Sequence, residues 1–414
     1  MSVHLGERWG GFWRSVTTVL MGTAMAQAIP LFGSLLLARL YAPAEFGLYA
    51  AWLGMVYLAG VVVTGRYEAA LAVEPDGGSR RIGVQAVLLV VTVATGCILV
   101  LTALLAALAP AWLRTTPLAL LWAFAPTAGL IAASQVWQSW AAAEGRYADL
   151  IRMRISQAAG ITGIQLGVGM LEPSAASLGL AHCAGVLLGA VVAATLMPLG
   201  APAESGAQRD FLRRHRRFPM LSLPADSVNA AASQLPLLLV ASRFGNEAAG
   251  LLALALRTMG APIALLGVAV LDVFKRQAAD AFRKRGECRN EYLQTLQVLA
   301  LGSVGAAVVI GFLSEDLFAL AFGEQWRAAG TIALWLLPMF AMRFVASPLS
   351  YVFYITGKQQ VDLLWQCALL VMTLAAFMLP GSFQVSIRAY AVGYACLYVV
   401  YLILSYRYST GKSA

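Results

Sequence analysis

This sequence is poor in charge. Only 12% of its 414 residues are Asp, Glu, Lys or Arg, about half the share found in an ordinary soluble domain, so a water-exposed globule is excluded. Histidine is rarer still. His4, His182 and His215 are too far apart in sequence to suggest a metal site, and only His182 lies in an apolar run, where a single histidine usually serves as a structural hydrogen-bonding group. The five cysteines, Cys97, Cys183, Cys288, Cys367 and Cys396, stand singly, so neither a disulfide framework nor a metal-ligand spacing is visible. No Gly-rich phosphate loop ending in Gly-Lys-Ser/Thr occurs, which excludes ATP hydrolysis by that route, and no cofactor is expected.

What is present is hydrocarbon. The residues are 60% hydrophobic and the mean hydropathy is +0.74, values of an all-α integral membrane protein. A spanning helix needs about 20 apolar residues, and twelve such stretches can be drawn. They run over Val16–Leu40, Phe46–Thr64, Val84–Leu108, Leu118–Ala142, Ile155–Leu171 and Ala175–Leu199, then Leu221–Ser242, Ala249–Phe274, Leu296–Leu313, Thr331–Ile355, Val361–Leu379 and Ile387–Leu404. Ala24-Met25-Ala26 imitates a signal-peptide cleavage site but is expected to stay uncut, because the apolar run continues to Leu40.

Lys and Arg number 29 against 20 Asp and Glu, a net charge of +9. With a cytoplasmic N-terminus and twelve spans, and leaving aside Arg257 and Arg343 within the spans, all but Arg39, Arg114, Arg243, Arg327 and Arg388 fall on the cytoplasmic side. Retention of basic loops on that side supports both the helix count and the orientation, with both termini cytoplasmic.

The chain reads as two six-helix halves, 1–199 and 221–414, joined by a basic cytoplasmic linker over 200–220. Leu35-Leu36-Leu37-Ala38 through Tyr41, Gly47, Leu48 and Ala50 matches Leu238-Leu239-Val240-Ala241 through Phe244, Gly250, Leu251 and Ala253 without a gap. Each copy covers a helix end, a short outer turn and the next helix start. A parallel repeat of this kind is a plan used by alternating-access transporters.

Arg257 and Arg343 lie inside spans, each about ten residues deep, or ~15 Å at the helical rise. An ionised group at that depth faces a bundle interior or a wet cavity, and a forked guanidinium suits phosphate oxygens. The alternative is a buried ion pair, though few intramembrane carboxylates are placed to serve. Asp226, Asn229 and Ser233, with Gln234 adjacent, form a polar stripe on helix seven. It serves either interhelical hydrogen bonding or a lumen, with Asp226 as a proton site. Thr23, Gln27, Pro30 and Ser34 make a stripe on helix one. Gln135, Gln138 and Ser139, with Trp137 and Trp140, give helix four a polar and aromatic face, fit for sugar rings or for interfacial anchoring. Arg66-Tyr67-Glu68 and Arg146-Tyr147 close helices two and four, as lipid-headgroup ligands or as anchors, and a local Arg66–Glu68 ion pair is the plainer account of Glu68.

Leu40-Tyr41-Ala42-Pro43 to Glu45-Phe46-Gly47-Leu48-Tyr49-Ala50, with Thr64-Gly65-Arg66-Tyr67-Glu68, resembles the start of the bacterial polysaccharide repeat-unit flippases. These form the Wzx-type branch of the superfamily that includes multidrug/toxin exporters and lipid II flippases. Leu223-Pro224-Ala225 with Asn229 and Gln234-Leu235-Pro236, Ala255-Leu256-Arg257 with Pro262, and Asp272-Val273-Phe274 continue the likeness. So do Phe322-Gly323-Glu324-Gln325-Trp326-Arg327, Arg343-Phe344-Val345 with Ser347-Pro348-Leu349-Ser350, and Trp365-Gln366.

The resemblance implies about twelve helices in two six-helix lobes around a central cavity opened alternately to each side. It implies transfer of an undecaprenyl-diphosphate-linked oligosaccharide from the cytoplasmic to the periplasmic leaflet of the inner membrane, within a pathway that includes a polymerase and chain-length machinery. Arg66, Arg257 and Arg343 carry over as cavity cations, with Arg146 beside them. Gln27, Gln138, Asn229 and Gln234 are expected to line the cavity, and Asp226 or Glu68 to carry protons in any antiport. An ion-coupled drug exporter of the same superfamily is the alternative. A polymerase or ligase of lipid-linked glycans is disfavoured by the short outer loops and the lack of a clustered catalytic set.

Overall fold

The structure is a computed structural model, and it describes residues 22, 25–75, 77–108 and 116–411. Thr23, with His4, Arg8, Arg14, Arg114 and Lys412, lies outside the described residues. The chain is all-helical where described. Its first six helices are α1 (Met25–Leu40), α2 (Pro43–Val63), α3 (Gly78–Leu108), α4 (Leu118–Ala143), α5 (Tyr147–Gly169) and α6 (Ala175–Leu196). A short helix α7 (Ser205–Arg214) follows. Then come α8 (Leu223–Phe244), α9 (Asn246–Arg285), α10 (Arg289–Phe322), α11 (Arg327–Leu349), the single turn α12 (Val352–Ile355), α13 (Gln359–Met378) and α14 (Phe383–Ser409). Setting α7 and α12 aside leaves twelve long helices among the described residues, six before the linker and six after it. Eight are long and apolar enough by themselves to cross a membrane.

The two repeat copies fall at equivalent junctions. Tyr41-Ala42 joins α1 to α2, and Gly245, in the left-handed region at φ 89°, joins α8 to α9. Several helices outrun their apolar windows, α9 and α10 above all. The apolar stretch of α9 stops at Phe274, but the helix continues to Arg285 because Lys275–Arg285 contains no Gly or Pro to stop it.

The helices pack into two compact units, Met1–Gln234 and Leu235–Ala414. In the first, α4 is the pillar, touching α2, α3, α6 and the 3₁₀ turn Tyr67–Ala72. In the second, α11 touches α9, α10 and α14, and α13 lies on α14. Leu99, Val100, Leu101 and Leu104 of α3 are exposed, as are Leu301, Val304, Val308 and Phe312 of α10. Such contiguous apolar surface belongs against lipid.

The tightest seam joins α5 to α6. A methyl group added at Gly185 would come within 2.4 Å of the backbone nitrogen and Cα of Ile161. Backbone cannot yield as a side chain can, so the seam exists only because position 185 has no Cβ; this is the small-residue packing that replaces hydrophobic drive in lipid. Gly185→Ala is therefore expected to lower the thermal midpoint of the detergent-solubilised protein, at a cost on the order of 1–3 kcal/mol. Gly163→Ala, on the same α5 where an added methyl meets nothing within 4 Å, is expected to leave it unchanged or raised.

Candidate functional site

The chain turns sharply where α2 ends. Gly65 and Arg66 both adopt left-handed backbone, at φ 57° and 60°, and Arg66 is the one non-glycine residue with positive φ among the described residues. A side chain there costs on the order of 1–2 kcal/mol, and residues held so tend to mark functional sites. The turn is held by Thr64, whose Oγ1 accepts from the Arg66 amide at 3.2 Å. The geometry throws the guanidinium between two carboxylates. Its Nη1 donates to Glu68 Oε1 at 2.9 Å, and its Nε lies 2.7 Å from Asp226 Oδ2.

The two carboxylates differ. Glu68 is buried at 5% side-chain exposure, whereas Asp226 keeps 37% and Arg66 31%. Two buried polar atoms at this site make no directed hydrogen bond, Arg66 Nε and Glu68 Oε2. The Arg66–Asp226 contact is thus a meeting of charges, not an aligned bond. The local Arg66–Glu68 pair expected from sequence is present, and Asp226 joins it.

Gln234 lies along the same pair of helices. Its Oε1 sits 3.1 Å from where a Cβ on Gly54 would be, so α8 approaches α2 closely at that glycine. Asn229 and Ser233 of the same stripe are exposed, and Gln27 on α1 is exposed as well. Gln138 is half-buried and accepts from Arg154 Nε at 3.1 Å. Sequence reasoning used Arg154 only for topology; nothing in its spacing distinguishes it from Arg152, which is solvent-facing at 66% exposure.

Other polar groups in this unit have structural partners. Arg146 donates from Nε to Asp149 at 2.7 Å and from Nη2 to the Leu196 carbonyl at 3.0 Å, tying the start of α5 to the end of α6. Trp137 and Trp140 are buried in the core, and Trp137 donates to the Met197 carbonyl at 3.3 Å. They face neither interface nor solvent because the same side of α4 packs on the 3₁₀ turn. His182 is buried with Nδ1 2.8 Å from the Tyr49 hydroxyl, to which Gln165 donates at 2.9 Å. That network is interhelical mortar, the structural role expected of a lone histidine.

In the second unit Arg257 is half-buried on α9 and Arg343 is exposed on α11. The charge of Arg343 reaches the phenols of Tyr390, Tyr394 and Tyr398, which form a ladder along α14 with ring centroids 5.2 and 5.4 Å apart. Below it Trp365 stacks on Tyr401 at 4.1 Å.

A third polar cluster lies where the linker meets the first unit. Within the basic linker, α7 docks on α3, because Phe211 fills the notch left by Gly83. Glu74, buried at 4% exposure, accepts from Ser79 at 2.6 Å, His215 at 2.6 Å and Arg214 at 3.1 Å. Burial alone would raise its pKa. The hydrogen bonds of Ser79 and His215 and the charges of Arg214 and His215 outweigh burial and hold the carboxyl below its ordinary value. Arg80, also buried, donates to the carbonyls of Leu71, Glu74 and Ala143 and pairs with Glu144 at 3.0 Å. These charges are spent on holding the fold.

Comparison with known proteins fits this architecture. A family model described as polysaccharide biosynthesis protein matches residues 36–331. No curated protein matches the sequence. Among solved structures, the lipid II flippase MurJ in an inward closed conformation superposes with a TM-score of 0.74 at 13% identity, covering 94% of this chain and 87% of that one. A MOP superfamily transporter from Pyrococcus furiosus gives 0.56 at 13% identity over 97% and 95%. An outward-facing multidrug resistance MATE family transporter gives 0.55 at 12% identity over 95% and 93%. At these identities the likeness is one of fold: two lobes of membrane helices.

The Glu74 cluster sets a pH expectation. A carboxyl held below its ordinary 4.5 stabilises the fold fully above that pH and loses its contribution as pH falls through the lowered native value. Glu74→Gln should lower thermal stability in detergent by about 1.5–3 kcal/mol near pH 7. Wild type and variant should converge only well below pH 4.5.

Proposed function

The chain belongs to the polysaccharide biosynthesis protein family, and from that premise we propose that it is a flippase for a lipid-linked oligosaccharide. It carries an undecaprenyl-diphosphate-linked repeat unit of O-antigen, capsule or exopolysaccharide from the cytoplasmic to the periplasmic leaflet of the bacterial inner membrane. Transport proceeds by alternating access, with Asp226 or Glu68 the carrier in any proton antiport that drives it, and the lipid tail stays in the bilayer while the headgroup crosses. The chain is a carrier and not an enzyme.

One observation carries the reading. Arg343 is exposed in the middle of a multi-pass protein's apolar helix, and among the described residues no carboxylate pairs with it. A guanidinium so placed is costly against hydrocarbon, and an anion moving through water or protein would relieve it. Arg66, with its turn strained around a half-exposed guanidinium, supports the same ligand chemistry, as does Arg257. Phosphate is the anion that fits a forked donor best. Polar side chains such as Gln27, Gln138, Asn229 and Gln234 suit the glycan's hydroxyls, and Arg146, 44% exposed beyond its bonds to Asp149 and Leu196, adds a further cation.

Replacing Arg257 or Arg343 with Ala should reduce surface polysaccharide at least tenfold while the protein still inserts at wild-type levels. The lipid-linked unit should accumulate unflipped. Wild-type polymer in both variants would overturn the reading, flipped but unpolymerised unit would indicate a polymerase, and altered drug susceptibility with intact polymer would indicate an exporter.

A further inference from the structure

Resting on the flippase reading, we propose that Asp226 is a tethered stand-in for the substrate's phosphate. In the structure its carboxylate covers Arg66, and the incoming diphosphate displaces it. Four observations converge on this exchange. Asp226 meets Arg66 Nε at 2.7 Å by charge alone, since Nε makes no directed hydrogen bond. Asp226 is the more exposed of the two carboxylates, 37% against 5%, so it is the one that can swing away. Glu68 meanwhile keeps hold of Nη1 at 2.9 Å and preserves the orientation of the guanidinium. Finally, the left-handed backbone of Arg66 fixes where the side chain emerges, so the guanidinium stays in place when Asp226 leaves.

The orphaned atoms describe the ligand. Nε offers a donor, which a phosphate oxygen can accept. Glu68 Oε2, buried and without a hydrogen bond, offers an acceptor, which a hydroxyl can satisfy. A phosphate that carries a neighbouring hydroxyl, as a sugar phosphate does, meets both, whereas the carboxylate of Asp226 meets neither in full. Selection against bare carboxylates follows: an anion that only repeats what Asp226 already supplies gains nothing by evicting it.

The test is binding of inorganic pyrophosphate to the full-length protein in nanodiscs at pH 7.5, for wild type, Asp226→Asn, Arg66→Ala, the double variant of these two, Arg257→Ala and Arg343→Ala. Asp226→Asn should tighten Kd about tenfold, and Arg66→Ala should abolish that gain, a non-additive cycle. Asp210→Asn, which removes one negative charge from exposed α7, should leave Kd unchanged. Equal Kd for wild type and Asp226→Asn, with binding still dependent on Arg257 or Arg343, overturns the stand-in and leaves the flippase reading intact. A tightening that persists without Arg66, or that Asp210→Asn reproduces, overturns it as well. No binding by any variant overturns both.

Discussion

Hydrocarbon offers no hydrogen bond, and that single fact organises the molecule. Every peptide group in the spanning segments must be satisfied within its own helix, so twelve long helices account for most of the described chain. Every polar side chain that enters must bring or find a partner, and the partners sort the charges into kinds. Arg80 and Glu74 are wrapped by carbonyls, carboxylates or donors and are buried with them. Arg66 and Arg343 keep part of their capacity, and in a solvent that penalises such surplus the surplus itself points to a ligand.

The membrane class and helix count were legible because they depend on one strong signal, long apolar runs separated by charge. Several side-chain roles were legible too. The Arg66–Glu68 pair follows from spacing at a helix end, and the quiet role of His182 follows from its isolation. What could not be read was partnership at long range. Nothing near Asp226 in sequence announces Arg66, 160 positions earlier, and nothing near Gln138 announces Arg154 across a helical hairpin. Trp137 and Trp140 were open to two surface roles and took neither, since periodicity alone does not tell which side of an all-apolar helix meets protein.

The linker illustrates the same limit from the other direction. Its composition reads only as a basic cytoplasmic linker, and one aromatic, Phe211, and one distant acid, Glu74, seat it. Composition averages over residues; docking depends on the two that find complementary positions. The same applies to Gln234, whose amide lies close against α2 at Gly54.

The α5–α6 seam has a bearing on traffic. Where Gly185 lets two backbones meet, with Gly160 facing the carbonyl of Gly185 in the opposite wall, the crevice is narrower than an acyl or prenyl chain, about 4–5 Å across at van der Waals separation. No tail can slip sideways through that wall. A lipid cargo would leave this unit between some other pair of helices, because at Gly185 α5 and α6 are locked backbone to backbone.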